Sequence, residues 1–188
     1  QEGASGRAAG RMKAVIDTNV LLVANGDHAD ISEDCVNECV RRLQAMQVGG
    51  IAVIDDGFRI VGEYLHKNRP NAQKGAGNVF LKWLLQNSAN AKRVETVPLT
   101  ELAPDRYAEF PDSALEPQFD APDRKFAAVA HAHPGRPPIW QAADSKWLDW
   151  WPALGAKGVK VVFLCPSDAC RFYAKKFPNK PAPSLPPA

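Results

Sequence analysis

Short apolar runs and stretches of helical periodicity alternate along most of this chain. The apolar runs predict strands, and they lie at residues 14–16, 51–54, 93–97, 138–140 and 159–164. Apolar residues spaced three and four apart predict helices, at about residues 31–48, 55–67, 78–86, 120–131 and 143–154. Strands that alternate with helices are typical of an α/β fold. The pattern therefore predicts a single domain with a doubly wound, mostly parallel sheet and helices on both faces, a Rossmann-like three-layer arrangement.

Four segments lie outside this alternation. Residues 1–11 are small, polar and rich in Gly and Ala, and we expect a vector-derived remnant there, ahead of a domain spanning residues 12–177. Residues 68–76 predict a loop, and residues 98–119 predict an irregular segment with a turn of helix. The Pro-rich residues 178–188 predict a disordered tail.

Composition and charge narrow the class of protein. With 188 residues, 45% hydrophobic and 23% charged, the chain has the values of one globular domain. No apolar run approaches the roughly 20 residues that span a bilayer, so we expect no membrane partner. The net charge of +2 lacks the strong basic excess of many nucleic-acid-binding proteins, but an acidic site with a basic rim gives the same sum.

The cysteines allow two interpretations. Cys35 and Cys39 stand four apart in a predicted helix and share a face, while Cys165 and Cys170 lie near the other end of the chain. A four-thiolate zinc site is one interpretation, although neither spacing is the usual two-residue knuckle. We favour the other interpretation, reduced and partly buried thiols of a cytoplasmic protein.

Four acidic residues follow the predicted strands in chain order. Asp17 directly follows the first strand, and Glu63 lies about two turns into the helix after the second. Asp123 opens a later helix, and Asp144 follows the weak strand at residues 138–140. The carboxyl ends of parallel strands form the ligand crevice of such sheets, so all four side chains are expected to meet there. Carboxylate oxygens are the ligands that Mg²⁺ and Mn²⁺ prefer.

The same acids stand in segments that resemble the motifs of the PIN-domain nucleases, including their toxin-like bacterial members. Residues 15–22 (Val-Ile-Asp-Thr-Asn-Val-Leu-Leu) are similar to the opening motif, in which a strand delivers the first metal-binding Asp. The segments around Glu63, Asp123 and Asp144 resemble the second, third and fourth acidic motifs. The resemblance extends over residues 13–166, essentially the whole domain.

The resemblance implies a function and a set of partners. It implies a Mg²⁺- or Mn²⁺-dependent endoribonuclease that cleaves single-stranded RNA rather than DNA, with Asp17, Glu63, Asp123 and Asp144 as metal ligands and catalytic residues. Many compact members are toxins of toxin–antitoxin pairs, which would add a protein antitoxin or other regulator and a homodimer. Whether one or two metals bind, and whether Asp120 takes the place of Asp123, stays open at this point.

Two positions depart from the family pattern and support an alternative. Ala142 stands where members commonly have Thr or Ser, and Lys146 stands where many have a further acid. These departures allow a non-catalytic nucleic-acid-binding or scaffold protein on a decayed PIN fold. A phosphatase of the haloacid dehalogenase type fits poorly, because it needs an Asp two residues after the first, and Asn19 is there.

Overall fold

The computed structural model describes residues 10–68 and 75–187. Its strands are β1 Lys13–Ile16, β2 Ile51–Asp55, β3 Val94–Val97, β4 Glu101–Ala103, β5 Arg106–Tyr107, β6 Ile139–Gln141 and β7 Val161–Phe163. Its α-helices are α1 Thr18–Ala24, α2 Glu33–Gly49, α3 Arg59–Lys67, α4 Ala76–Asn87, α5 Arg124–Ala132, α6 Lys146–Ala156 and α7 Pro166–Lys176. Two 3₁₀ turns cover Glu116–Gln118 and Ala121–Asp123.

Five of the strands form one parallel sheet in the order β3-β2-β1-β6-β7. From β1 the chain moves outward through β2 to β3, and it later returns beside β1 to form β6 and then β7. Because parallel crossovers are right-handed, the helices that connect β1, β2 and β3 lie on one face of the sheet, and α5 and α6, which lead to β6 and β7, lie on the other. The predicted doubly wound α/β fold is confirmed.

The core lies between the sheet and these helices. Strand β1 is buried along Ala14, Val15 and Ile16, as a central strand covered on both faces must be. Helices α1, α2 and α4 contact one another, and α5 packs on β1 and β2. Helix α3 contacts both α1 and α5, which places it at the end of the sheet where the two halves of the chain meet.

The structure differs from the predicted elements in three segments. Helices α1 and α7 were not predicted, and residues 98–119 contain the short antiparallel hairpin β4–β5 besides the predicted turn of helix. Strand β4 is exposed at all its residues, so no apolar alternation marks it. Part of the loop predicted at residues 68–76, and all but the last two residues of the expected remnant at 1–11, lie outside the described residues.

The prediction of reduced cysteines is wrong for one pair. Cys35 in α2 and Cys165 at the start of α7 form a disulfide bond, while Cys39 and Cys170 are free. Burial, and then the charge of Glu38, raise the pKa of the Cys39 thiol to about 12, so it stays protonated. Because disulfides are rare in reducing compartments, this pair does not support the predicted cytoplasmic location, which stays a prediction.

The segment after α7 touches the domain. The indole Nε1 of Trp151 donates to the Ser184 carbonyl at 3.0 Å, and Lys180 Nζ lies 3.8 Å from a carboxylate oxygen of Asp149. Within the described ranges 10–68 and 75–187, no helix is long and apolar enough to cross a membrane.

Candidate active site

Asp17 and Asp144 flank the switch in strand order. Strand β1 pairs with β2 on one side and with β6 on the other, so the chain leaves the centre of the sheet in opposite directions at the β1–β6 pair. Asp17 follows β1 and Asp144 follows β6, both at the carboxyl ends. The two loops are joined across the switch point, because the backbone N–H of Ala143 donates to Asn19 Oδ1 at 3.1 Å. This is the position at which doubly wound sheets bind ligands.

Helix α3 carries Glu63 to the same crevice. The hydroxyl of Thr18, the residue after Asp17, donates a hydrogen bond to Glu63 Oε2. Lys125, in the first turn of α5, holds the other carboxylate oxygen of Glu63 at 3.0 Å and is itself buried. Glu63 is therefore fixed between α1 and α5, and its side chain is only 12% exposed.

Asp123 lies at the start of α5, on the last residue of a 3₁₀ turn that Asp120 precedes. Asp120 stands at the N-cap position of this turn and Asp123 is its third residue, although neither carboxylate makes a capping hydrogen bond. Asp120 is about half exposed, whereas the Asp123 side chain is only 14% exposed. Asp123 therefore belongs to the crevice, and Asp120 lies at its rim.

Lys146 joins the acids of the second half of the chain. Its ammonium nitrogen lies 2.5 Å from Asp120 Oδ2, 3.3 Å from Asp123 Oδ2 and 3.8 Å from Asp144 Oδ2. Burial alone would lower the pKa of Lys146, but the three carboxylates more than offset it and raise the pKa. Lys146 therefore stays charged and partly neutralises the cluster.

The negative charges of the other three acids act on Asp17. Burial, and next the negative charges of Asp123 and Asp144, raise the pKa of Asp17 well above its usual range. Glu63 acts in the same direction, and the Asn19 N–H acts against it. Burial also raises the pKa of Asp123 to about 6, with Asp144 adding to it although Lys146 opposes. Each of the four predicted acids therefore acts on another, as expected from one site.

Asp17 and Asp55 form a natural comparison, because each ends a neighbouring parallel strand. Both oxygens of the fully buried Asp55 accept backbone N–H groups, from Arg59 and Ile60 at 2.9 Å, and so cap α3. Asp17 Oδ1 accepts the N–H of Asn19 at 2.8 Å. Its Oδ2 is buried and has no hydrogen-bond partner among the described residues. Asp55 is satisfied as a cap, whereas Asp17 keeps one oxygen free for a ligand.

We expect Asp55→Asn to lower the free energy of unfolding by about 2 kcal/mol, because an amide can accept only one of the two N–H groups and turns its own donor toward the other. Urea unfolding followed by circular dichroism measures this change. An Asp55→Asn protein as stable as the unmutated one would show that the cap contributes nothing.

The donor set fits a hard divalent cation, with one adjustment. The free oxygen of Asp17 and the carboxylates of Asp123 and Asp144 offer oxygen ligands. The raised pKa values of Asp17 and Asp123 reflect burial first and then negative charge without enough compensation. In residues 10–68 and 75–187, however, only a cysteine trio brings three potential ligand atoms within 4.8 Å of one another. A cation held directly by three of the acids therefore requires the carboxylates to close in and Lys146 to withdraw.

Several residues of the site were not predicted from the sequence. Lys125 and Lys146 hold the acids, and Tyr64 donates its hydroxyl to the carbonyl of Ile16, just before Asp17. Tyr64, like Lys125, is buried. The sequence gives no indication of these contacts, because Tyr64 is 48 residues from Ile16 in the chain and Lys125 is 62 residues from Glu63.

No protein-family model, curated protein or solved structure matches this chain. The likeness to the PIN-domain nucleases therefore rests on the sequence motifs alone, and the function has to be argued from the site.

Proposed function

We propose that this protein is a metal-dependent endonuclease that hydrolyses phosphodiester bonds, with single-stranded RNA as its substrate class. The observation that carries the proposal is the buried Oδ2 of Asp17, which has no hydrogen-bond partner among the described residues although other acids surround it. A buried carboxylate oxygen without a donor is costly unless a ligand compensates it. A cation at this position would compensate Asp17 together with Asp123 and Asp144.

The residues would divide the work by position. Asp17, Asp123 and Asp144 would hold Mg²⁺ or Mn²⁺, and Glu63, already fixed by Thr18 and Lys125, would complete the ligand set directly or through water. The chemistry that a bound divalent cation supplies is polarisation of water and of the phosphodiester oxygens. Asn19 holds the β1 and β6 loops together and so keeps Asp17 and Asp144 in register.

The resemblance to PIN-domain nucleases is the sole basis for three parts of the proposal: RNA as the substrate, a protein antitoxin or other regulator as a partner, and a homodimer. The choice of RNA over DNA follows from what compact PIN-domain nucleases cleave.

The test is a cleavage assay on matched single-stranded RNA, double-stranded RNA and single-stranded DNA, with Mn²⁺, Mg²⁺ or no metal. We expect cleavage of single-stranded RNA with either metal and loss of all cleavage when EDTA is added, because hard cations bind through carboxylates. An Asp144→Asn protein purified in parallel controls for contaminating ribonucleases. Cleavage that persists in EDTA, or that the Asp144→Asn preparation retains, would count against the proposal, as would inactivity with every metal and substrate.

A second candidate is a non-catalytic nucleic-acid-binding protein, and a specific observation favours it. Lys146 and Lys125 already occupy the sides of the acidic crevice that a metal would need, at 3.3 Å from Asp123 and 3.0 Å from Glu63. In a non-catalytic protein, the ammonium groups of the two lysines would permanently take the place of the divalent metal. Binding of Mn²⁺ to the crevice separates the two candidates.

A further inference from the structure

A second cluster of ligand atoms, which shares no residue with the acids, lies where α2 meets the end of β7. Cys35 and Cys39 stand one helical turn apart on α2, and Cys165 follows β7 at the start of α7. The three sulfur atoms lie within 4.8 Å of one another, and all three residues are buried. This trio is independent of the acidic crevice and of the proposed nuclease function.

The spacing of the sulfur atoms matches a tetrahedral metal site. Zinc–sulfur bonds of about 2.3 Å at tetrahedral angles place two sulfurs about 3.8 Å apart. Cys39 Sγ lies 3.9 Å from Cys165 Sγ. The disulfide joins the third sulfur, Cys35 Sγ, to Cys165. All three sulfurs already lie within 4.8 Å of one another, so reduction of that bond leaves Cys35 within reach of the same ion.

We propose that Cys35, Cys39 and Cys165 bind one Zn²⁺ ion as three thiolates when the disulfide is reduced. A dithiol reductant supplies two electrons and two protons to the Cys35–Cys165 bond and is itself oxidised to a disulfide. Binding of the ion then displaces the thiol protons to solvent. The disulfide and the zinc site are alternative states of the same three residues, because a sulfur in a disulfide is no longer a thiolate ligand.

The surroundings provide an entry path and a fourth position. A cavity of about 460 Å³ is lined by Cys35 and Cys165 and also by Glu38 and Asp168. Both carboxylates are engaged, Glu38 by Arg41 and Arg42, and Asp168 by Ser32 and Arg171. Water from this cavity is therefore the fourth ligand, as in zinc sites that keep one position open.

The first test uses the whole chain, reduced with a phosphine and freed of metal. We expect it to bind one equivalent of Zn²⁺ per chain in competition with a chromogenic chelator, and the oxidised protein to bind none at the trio. Co²⁺ in place of Zn²⁺ should give a thiolate-to-metal charge-transfer band, which carboxylate ligands cannot produce. A reduced protein with no such band would overturn the proposal, and so would an oxidised protein with an equal band.

Matched cysteine variants identify the ligands. Losing an outer-shell partner of a metal site already weakens binding tenfold to a hundredfold, so Cys39→Ser should weaken Zn²⁺ binding at least about a hundredfold. Cys170→Ser, on α7 outside the trio, should leave the affinity and the band unchanged. Equal losses in both variants, or none in Cys39→Ser, would overturn the assignment. If Cys39→Ser does not fold, Cys35→Ser provides the same comparison.

Discussion

Replacing Asp17 by Asn should lower the rate of RNA cleavage at least about a hundredfold, which corresponds to about 2.7 kcal/mol of transition-state stabilisation. The change keeps the size of the side chain and the oxygen that accepts the Asn19 N–H, but it removes the negative charge beside the buried Oδ2. In the proposed site, this negative charge at the end of β1 would bind the metal and balance its positive charge. Because Ala14, Val15 and Ile16 of β1 are buried, the backbone that leads to Asp17 has no freedom to bring another acid into the same place.

The same variant should be more stable than the unmutated protein when no metal is present. The raised pKa of Asp17 means that its charged form is disfavoured in the fold, so its ionisation costs stability at neutral pH. An Asn at this position removes that cost. In return, the rise in melting temperature that Mn²⁺ gives the unmutated protein should disappear, because the cation stabilises only a fold that binds it.

Asp55→Asn is the control for these measurements. It removes the same charge from the end of the neighbouring strand, but from a carboxylate whose two oxygens cap α3. We expect it to lose stability and yet to keep the response to Mn²⁺. If Asp17→Asn instead cuts at the parental rate and still gains stability from Mn²⁺, then Asp17 is only the cap of α1, and the assignment of the site is wrong.

The elements of the fold were predictable where burial of one face gives the apolar residues a clear helical or strand spacing. Helix α2 begins after Ser32, which caps it, and ends at Gly49 and Gly50, so local signals mark both ends of a helix whose apolar spacing was already clear. Helix α1 has five of its seven residues buried, so it shows no polar face and could not be distinguished from a continuation of the strand. The hairpin β4–β5 could not be predicted for the opposite reason: every residue of β4 is exposed, so the strand has no buried face and no apolar alternation.

The acids of the site were predictable because each occupies a fixed place relative to a strand end or a helix start. The positive groups that compensate their charge were not predictable, because these groups come from distant parts of the chain that only the fold brings beside the acids. Lys146 was noted from the sequence only as a departure from the family pattern, where many members have an acid. In the structure the same residue lies near Asp120, Asp123 and Asp144 and partly neutralises their charge.

Lys146 therefore decides between the two candidate functions. In the nuclease, its ammonium group keeps the acids together until a metal displaces it. In a non-catalytic protein, it replaces the metal permanently. Its side chain is about one-third exposed, so it has room to swing out of the crevice toward solvent.

Lys146→Met should tighten Mn²⁺ binding by about tenfold or more. A positive charge about 4 Å from a competing cation site opposes it by up to about 4 kcal/mol at the effective dielectric of a protein surface, and a tenfold change needs only about 1.4 kcal/mol. Without metal, the variant should lose about 1 kcal/mol of stability, because Asp123 and Asp144 lose their partner while solvent screens part of the repulsion. Addition of Mn²⁺ should restore the lost stability.

Lys157→Met is the matched control, since it removes the same charge directly after the same helix, at a residue 3.7 Å from Asp112 rather than from the crevice. Calorimetric titration with Mn²⁺ and melting curves with and without the metal measure both effects. Tighter binding in Lys146→Met but not in Lys157→Met would identify the lysine as the competitor of a metal. If Lys146→Met binds no Mn²⁺ at all, the crevice is not a metal site even when its own cation is removed. The acids would then serve structure, and the nuclease proposal would have to be given up in favour of the non-catalytic one.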